Sequence, residues 1–471
     1  MFKPDDISTP PVWLALIPIF LTAMLLVLSV FVVDTKPHFA LFIGAATAGL
    51  CAFWHGFSWK TIKEGFKHSV ARTIPSIMIL LIIGMLIAVW IASGIVPALM
   101  YYGFEFFVAR WFLPLILLFS ALMALITGSS WSTIGTIGVA AVGVSEGIGI
   151  PLPMTAGAIV SGAFFGDKLS PMSDSTNLTP SVLGVNLYDH IRHMLYTTLP
   201  ALGISVIVFT IMGFIASANN GNDGDVSAYT EYIRTHFNLS IWLFIPPLVV
   251  IFLIIKKVPA IPSLLSGLIL GGAAYMVIQD GTLSGFLESI HKGFVIDTGQ
   301  EEMDALFTRG GMDSMYEVVA LALISLTLGG IMDYTGMLHS LVLVLSRLTN
   351  TIGNLTATVL GTSVFVNLFG ANQYLAVILP GQMFEECYRN KRLKLKNLTR
   401  TLEAGGTLTA PLIPWNSSGV FVYAAIGVPV TAYAPYAVLC WGTGIVALAF
   451  GYLNITMHKC KASEEEEEDQ Q

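Results

Sequence analysis

Uncharged apolar runs long enough to cross a lipid bilayer recur along this chain, and they restrict its fold more than any other feature. No charged residue occurs between Val12 and Val33 or between Phe112 and Val144. A helix needs about 20 mainly apolar residues to cross the hydrocarbon core. Only 11% of the residues are charged, whereas soluble domains carry about 25%. We therefore expect an all-α polytopic membrane protein with about 10–14 spans.

The two ends of the chain carry their own signals. Asp5 and Asp6 stand where a cleavable signal peptide would be basic, so we do not expect such a peptide. Six acidic residues run from Glu464 to Asp469 and predict a solvated tail. The four cysteines have neither disulfide nor metal-ligand spacing. We expect no cofactor and no nucleic-acid partner.

One polar stretch lies within strongly apolar sequence. Residues 166–177 read GDKLSPMSDSTN, with two carboxylates, a lysine and four hydroxyl side chains, and the preceding residues 155–165 have no charge. A carboxylate inside a bilayer costs about 2.5–3.5 kcal/mol on insertion scales. Gly166 and Pro171 argue against a continuous helix, and free carbonyls at membrane depth are tolerated only where they are buried or line a cavity. We interpret the stretch as a broken transmembrane helix that binds a small cation.

Three other apolar runs are interrupted in a similar way, and the spacing of the interruptions predicts a repeat. They lie at residues 127–133, 370–373 and 409–419. Gly128 precedes Ser170 by 42 positions, and Gly370 precedes Ala410 by 40. Each half therefore has two interrupted helices or re-entrant hairpins in the same order, which is the best sequence indication of a transporter site.

The charges of corresponding loops change sign between the halves. The segment 60–72 is basic, whereas its counterpart at 279–313 is acidic. The loop between the two interrupted spans is nearly uncharged at 145–153 and strongly basic at 385–400. Because basic loops stay in the cytoplasm, we predict an inverted repeat with both termini cytoplasmic. The predicted segments are a first repeat at 1–217, a polar linker at 218–238, a second repeat at 239–458 and an acidic disordered tail at 459–471.

The interrupted spans are chemically suited to Na⁺ and H⁺. Carboxylate, hydroxyl and carbonyl oxygens are the ligands that hard cations prefer. One buried carboxylate holds either a proton or a metal ion, which is the simplest basis for exchange. We predict a cation site, with Na⁺ at Asp174, formed by Asp174, Asp167, Ser170, Thr176, Asn177, Asn416 and Ser417. Candidates for a substrate site are Ser129, Ser130, Thr133, Asn372, Gln373 and Ser418.

Structural roles are alternatives for the same residues. Asp167 has a potential ion-pair partner in Lys168, Asp174 and Asn416 are suited to cap half-helices, and membrane hydroxyls often bond their own backbone. An aspartic protease is disfavoured, because it brings two carboxyls close together across two elements, whereas Asp167 and Asp174 lie on one segment. A channel is a further alternative, but paired interruptions favour a carrier with a closed central site.

Residues 166–177, together with the segment 127–133, closely resemble the NhaC family of bacterial Na⁺/H⁺ antiporters. The resemblance covers nearly the whole chain. It implies secondary transport across the bacterial inner membrane rather than an enzyme, with an inverted-repeat fold of the ion-transporter superfamily, an elevator-type or related alternating-access cycle, and a homodimer. One branch of the family exchanges malate and protons for sodium and lactate, so a small carboxylate substrate is an alternative.

Overall fold

The computed structural model describes residues 9–33, 35–106, 109–219, 223–256, 258–300, 304, 307–345 and 349–460. Within these residues the chain is helical, and the one strand-like pairing is an isolated bridge between Leu393 and Lys459. Cys460 also donates its backbone N–H to Arg392. The first residues of the predicted tail are therefore held by the protein, and residues 461–471 lie outside the described part.

The first half folds into helices interrupted at the predicted positions. The helices are α1 Val12–Val27, α2 His38–His55, α3 Trp59–Ala92, α4 Ile95–Phe106, α5 Ala109–Thr127, α6 Ser130–Thr133, α7 Val139–Gly147, α8 Leu152–Leu169, α9 Asp174–Val182 and α10 Leu187–Asn219. π-helical turns extend α1 over Leu28–Val32 and join α6 to α7 over Ile134–Gly138. Such turns are frequent at functional sites.

The second half follows a comparable order. The helices are α11 Asp223–His236, α12 Ile245–Ile255, α13 Ala260–Ile278, α14 Leu283–Lys292, α15 Asp313–Tyr334, α16 Met337–Leu345, α17 Ile352–Gly370, α18 Leu375–Asn390, α19 Lys396–Leu402, α20 Ser417–Ile426, α21 Val430–Tyr433 and α22 Val438–Leu453. A π-helical turn at Glu403–Thr407 continues α19. The segment predicted as a polar linker contains α11, so it is largely helical.

Helix length and composition identify a multi-pass membrane protein. Among the described residues, α2, α5, α10, α13, α15 and α17 are long and apolar enough to cross a membrane. Three bent pairs, α3 with α4, α11 with α12 and α20 with α21, raise the number to nine if each pair is one span. Two shorter apolar helices, α1 and α22, are not part of this count. The all-α polytopic class is confirmed.

Large apolar side chains on the outer faces of these helices are exposed. On α10 the exposed residues include Ile204, Ile207, Ile211, Phe214 and Ile215. Exposed apolar patches of this extent mark interaction or membrane surfaces. Since α10 is among the spanning helices, we assign this face to lipid.

Close packing between α5 and α8 determines where the central polar stretch, residues 166–177, lies in the fold. A Cβ atom at Gly162 would lie 2.2 Å from the carbonyl oxygen of Leu117, and one at Gly166 would lie 2.1 Å from that of Ala121. Small residues let membrane helices approach to backbone contact. As a result, the end of α8, which carries Asp167, lies directly beside the interruption that follows α5.

Candidate functional site

The four interruptions contribute to one cavity of about 590 Å³. Its wall includes Ser129, Ser130, Asp167, Asp174, Asn372, Gln373 and Ser417, which are seven of the predicted site residues. Among the described lining residues, the charged side chains are the two aspartates, and no lysine, arginine or histidine faces the space. A cavity with this lining attracts cations and repels anions.

The two interruptions of the first half touch each other at this cavity. The Ser130 hydroxyl donates a hydrogen bond of 2.6 Å to Oδ2 of Asp167. Gly128 has a φ of 69°, in the left-handed region that favours glycine. A Cβ atom there would lie 2.9 Å from the carbonyl carbon of Met172. Glycine therefore allows the two broken backbones to meet.

The two interruptions of the second half meet in the same way. The backbone N–H of Ser417 donates to the carbonyl of Ala371 at 3.1 Å, and the Ser418 hydroxyl donates to Oε1 of Gln373 at 3.1 Å. Ala371 has a φ of 52°, an uncommon conformation for a residue with a side chain. The contacts between the interruptions hold this strained turn in place.

Polar side chains at the interruptions accept N–H groups near the starts of the half-helices that follow. Ser129 accepts the N–H of Ser132 at 3.1 Å, and Asn372 accepts that of Tyr374 at 2.8 Å. Asn416 caps α20 by accepting the N–H of Ser418 at 3.1 Å, as the structural alternative for this residue predicted. Ser173, and not Asp174, provides the side-chain cap of α9, so Asp174 is not needed for that role.

The two aspartates differ in their surroundings. Asp167 is 7% exposed, whereas Asp174 is exposed on the cavity wall, and their charges repel each other. The alternative that pairs Asp167 with Lys168 is not observed, because the Lys168 ammonium has no hydrogen-bond partner among the described residues. Both aspartates line the cavity without a basic partner among the described residues.

Three residues predicted as cation ligands bond to the broken backbone of their own segment. Ser170 accepts the N–H of Met172 at 3.3 Å. Thr176 donates to the carbonyl of Asp167 at 3.0 Å, and Asn177 donates to that of Ser173 at 2.8 Å. These residues stabilise the turn between α8 and α9 without lining the cavity. Their role as ligands stays a prediction.

The side chains of Thr133, Asn416 and Ser418 also form hydrogen bonds within the protein. Thr133 donates to the carbonyl of Ser129 at 3.0 Å. The Asn416 amide donates to Oδ1 of Asn367 at 3.0 Å. Asn367, buried on α17, was missed by the sequence reasoning, although an asparagine inside an apolar span was a usable signal. Trp131 and Tyr374, which also line the cavity, were missed because aromatic residues are common throughout membrane helices.

The chain matches known proteins along most of its length. The sequence profile of the Na⁺/H⁺ antiporter family matches residues 9–176 and 162–455. The Na⁺/H⁺ antiporter NhaC of Alkalihalophilus pseudofirmus is 37% identical over 436 residues, covering 92% of this chain and 94% of the relative. The Malate-2H⁺/Na⁺-lactate antiporter of Bacillus subtilis is 35% identical, covering 91% of this chain and 92% of the relative.

A third relative carries a different cargo. The arginine/ornithine antiporter ArcD of Halobacterium salinarum is 34% identical over 468 residues, covering 98% of this chain and 96% of the relative. The relatives named here are transporters and not enzymes, and each aligns along nearly its whole length. With a profile match over most of the chain and relatives of this coverage, the chain belongs to the Na⁺/H⁺ antiporter family.

Proposed function

We propose that this protein exchanges Na⁺ for H⁺ by alternating access across the bacterial inner membrane, with both ions competing for the aspartates of the 590 Å³ cavity. The observation that carries the proposal is the lining of that cavity. Two carboxylates and several hydroxyl groups face it, and no basic side chain does so among the described residues. Hard oxygen ligands of this kind suit Na⁺ and protons.

The different exposure of the two aspartates suggests an order of events. Asp174, exposed on the wall, receives the incoming cation, and Asp167, buried and bonded to Ser130, holds it deeper in the cavity. Two carboxylates that repel each other favour a bound positive charge. The proton therefore leaves when Na⁺ enters, and it returns when Na⁺ departs on the other side.

We also propose that residues 1–217 and 239–458 form an inverted repeat. In each half two interruptions touch each other, through Ser130 and Asp167 in the first half and through Ser417 and Ala371 in the second. The joint contribution of all four to one cavity is the arrangement expected where two repeats face each other.

The topology follows from the same symmetry. Lys394 donates its backbone N–H to the carbonyl of His458, so the end of α22 lies beside the basic loop at 385–400. Lys36 pairs with Glu317 near the start of α15. The loop between α1 and α2 therefore lies on the same side of the membrane as the acidic segment 279–313, which precedes α15. Because basic loops remain inside, we place both termini in the cytoplasm. Reporter fusions at Lys36 and at His458 test this by opposite signals.

A homodimer is proposed from the family resemblance. The measurement is native mass spectrometry of the protein in detergent, with a bacterial lipid extract added. A monomer at all protein and lipid concentrations would contradict the dimer without affecting the proposed exchange.

The exchange is tested with two neutral variants in everted vesicles. Asp174→Asn and Asp167→Asn should each abolish the Na⁺-dependent change in ΔpH, because an amide cannot exchange a proton for a cation. Asp189→Asn, an exposed aspartate at the start of α10, is the matched control and should behave as the parent. Full exchange in Asp174→Asn, with the protein folded and inserted, would end the assignment of Na⁺ to this residue.

A second candidate is a Na⁺- and H⁺-coupled exchanger of small organic acids. The volume of about 590 Å³ lies in the range of small-molecule pockets, about 300–1,000 Å³, and exceeds the needs of a bare cation. The acidic lining opposes a carboxylate substrate. Proton flux in proteoliposomes with Na⁺ alone, then with malate and lactate, and then with arginine and ornithine, separates these cargoes.

A further inference from the structure

A second cavity, of about 280 Å³, lies at the other end of the helices that form the cation cavity. Ser130 begins α6 at the cation cavity, and Val139 and Glu146 on the following α7 line the second cavity. Likewise Ser417 begins α20 at the first cavity, and Ala424 near its end lines the second. The same two broken helices therefore connect both spaces.

An aromatic pair lies between the two cavities. The rings of Trp131 and Phe421 stack with centroids 4.1 Å apart and planes 19° from parallel. Trp131 belongs to the wall of the cation cavity, and Phe421 is fully buried. From Trp131 to Val139 the helical rise amounts to about 12 Å. The barrier between the cavities is thus about two helical turns thick.

An ion pair between the two halves lies at the wall of the second cavity. Nη2 of Arg309 lies 2.9 Å from Oε1 of Glu146, with 35% and 18% of the respective side chains exposed. Both residues line the cavity. The other carboxylate oxygen of Glu146 is buried and has no hydrogen-bond partner among the described residues. Separation of the ion pair would leave both carboxylate oxygens of Glu146 without a partner among the described residues.

Arg309 is held in place by a tightly packed backbone. Phe294 donates its N–H to the carbonyl of Arg309 at 3.2 Å. The next residue, Gly310, has a φ of 85°, and a Cβ atom there would lie 2.5 Å from the backbone nitrogen of Ala88 on α3. Glu146, in contrast, lies at the end of α7, which belongs to a broken span. Movement of that span relative to α3 would separate the pair.

We propose that the second cavity is the external vestibule of the transport pathway, with Glu146 as its cation-binding residue and Arg309 as the resident cation that closes it. The inference rests on the proposed exchange of Na⁺ for H⁺. A cavity of about 280 Å³ holds several waters at about 30 Å³ each, which is enough for a hydrated monovalent ion. Its walls are mainly apolar, so the Glu146 carboxylate supplies the attraction. The vestibule is external because both residues lie in segments with few basic residues, which face outward.

The proposal is tested by labelling a single cysteine inside the vestibule. The native Cys51, Cys387, Cys440 and Cys460 are replaced, and Val139→Cys, on a partly buried position of the vestibule wall, is introduced. A membrane-impermeant maleimide is added to right-side-out vesicles. We expect slow labelling in this background, labelling at least several-fold faster with Arg309→Gln, and return to the slow rate in the charge swap Glu146→Arg with Arg309→Glu.

Controls separate this inference from the proposed function. Lys292→Gln breaks an exposed ion pair with Glu288 on α14 and should leave labelling slow. Asp174→Asn should abolish exchange, but adding Arg309→Gln to it should still accelerate labelling. Failure of the proposed exchange therefore does not affect the vestibule test. Na⁺, compared with choline, should slow labelling in Arg309→Gln through Glu146, and this protection should disappear when Glu146→Gln is added.

Labelling that is equally slow with and without Arg309→Gln would overturn the proposal that Arg309 closes the vestibule. Faster labelling in everted vesicles than in right-side-out vesicles would overturn the external assignment. Ala424→Cys, on α20, provides a second reporter if Val139→Cys fails to fold, and the same comparisons apply to it.

Discussion

The hydroxyl of Ser130 donates a hydrogen bond of 2.6 Å to the Asp167 carboxylate, and this bond joins two interruptions that are far apart in the chain. It places an oxygen-rich turn beside a buried negative charge at the wall of the cation cavity. Hydrogen bonds to charged groups are stronger than those between neutral groups. The bond therefore orients Asp167 towards the cavity.

Ser130→Ala should weaken the binding of Na⁺. The carboxylate loses a donor that fixes its orientation, and a hydrogen bond to a charged group contributes about 1.5–3 kcal/mol, or roughly a 10- to 150-fold change in affinity. The measurement is the Na⁺ concentration for half-maximal ΔpH in everted vesicles. Ser181→Ala, an exposed serine on α9, is the control. An unchanged half-maximal concentration for Ser130→Ala would mean that this bond does not shape the site.

Gly166→Ala and Gly162→Ala should separate α5 from α8. An added methyl group would meet the backbone of α5 at 2.1 Å and 2.2 Å, respectively, and overpacking typically costs about 1–3 kcal/mol. We expect a lower apparent Tm in detergent and loss of exchange, because Asp167 moves away from Ser130. Gly203→Ala on α10, where nothing lies within 4 Å, should keep both properties. Equal Tm values in all three variants would contradict the packing argument.

Phe421→Ala should open a leak between the cavities. The substitution removes the ring that stacks on Trp131, and removal of a buried phenylalanine costs about 3–5 kcal/mol in stability. Downhill ²²Na⁺ flux in proteoliposomes without a proton gradient should rise, whereas Phe421→Leu, which fills most of the space, should stay coupled. A folded Phe421→Ala protein with tight coupling would show that the barrier lies elsewhere.

Because of Asp304, the free energy of unfolding of the protein should depend on pH in the acid range. Its side chain is buried, and burial by itself raises the pKa of the carboxyl, but hydrogen bonds from Thr298, Tyr232 and Gly299 outweigh this and lower the pKa from 3.8 to about 2. A carboxyl with a lowered pKa stabilises the fold fully above its unfolded pKa, and the contribution is lost as the pH falls through the folded pKa.

The check is a comparison of melting curves for the parent and Asp304→Asn between about pH 5 and pH 2. The parent should be more stable near pH 5, and the difference should shrink as the pH falls from 3.8 towards 2. Asp297→Asn, an exposed neighbour, should follow the parent throughout. A difference between parent and Asp304→Asn that does not change with pH would exclude this titration.

Several features of the site could be predicted from the sequence because they depend on local chemistry. Glycine, proline and hydroxyl residues inside apolar runs predict interrupted helices, and the structure has interruptions after Thr127, Leu169, Gly370 and Leu412. Seven predicted residues line one cavity. For Ser170, Thr176 and Asn177 the residue pattern does not distinguish a cation ligand from a group that bonds the backbone, because both roles use the same polar side chains.

The sequence alone determined that the chain crosses a membrane and that its helices break at four places, since the cost of burying charge and unpaired backbone in lipid acts on each segment separately. Only the tertiary structure decided that Asp167 is buried against Ser130 while Asp174 is exposed, and that Arg309 pairs with Glu146 at the wall of a second cavity. These relationships depend on how close the helices approach one another. That approach is set by contacts such as the glycine packing of α8 on α5, which join residues distant in the chain.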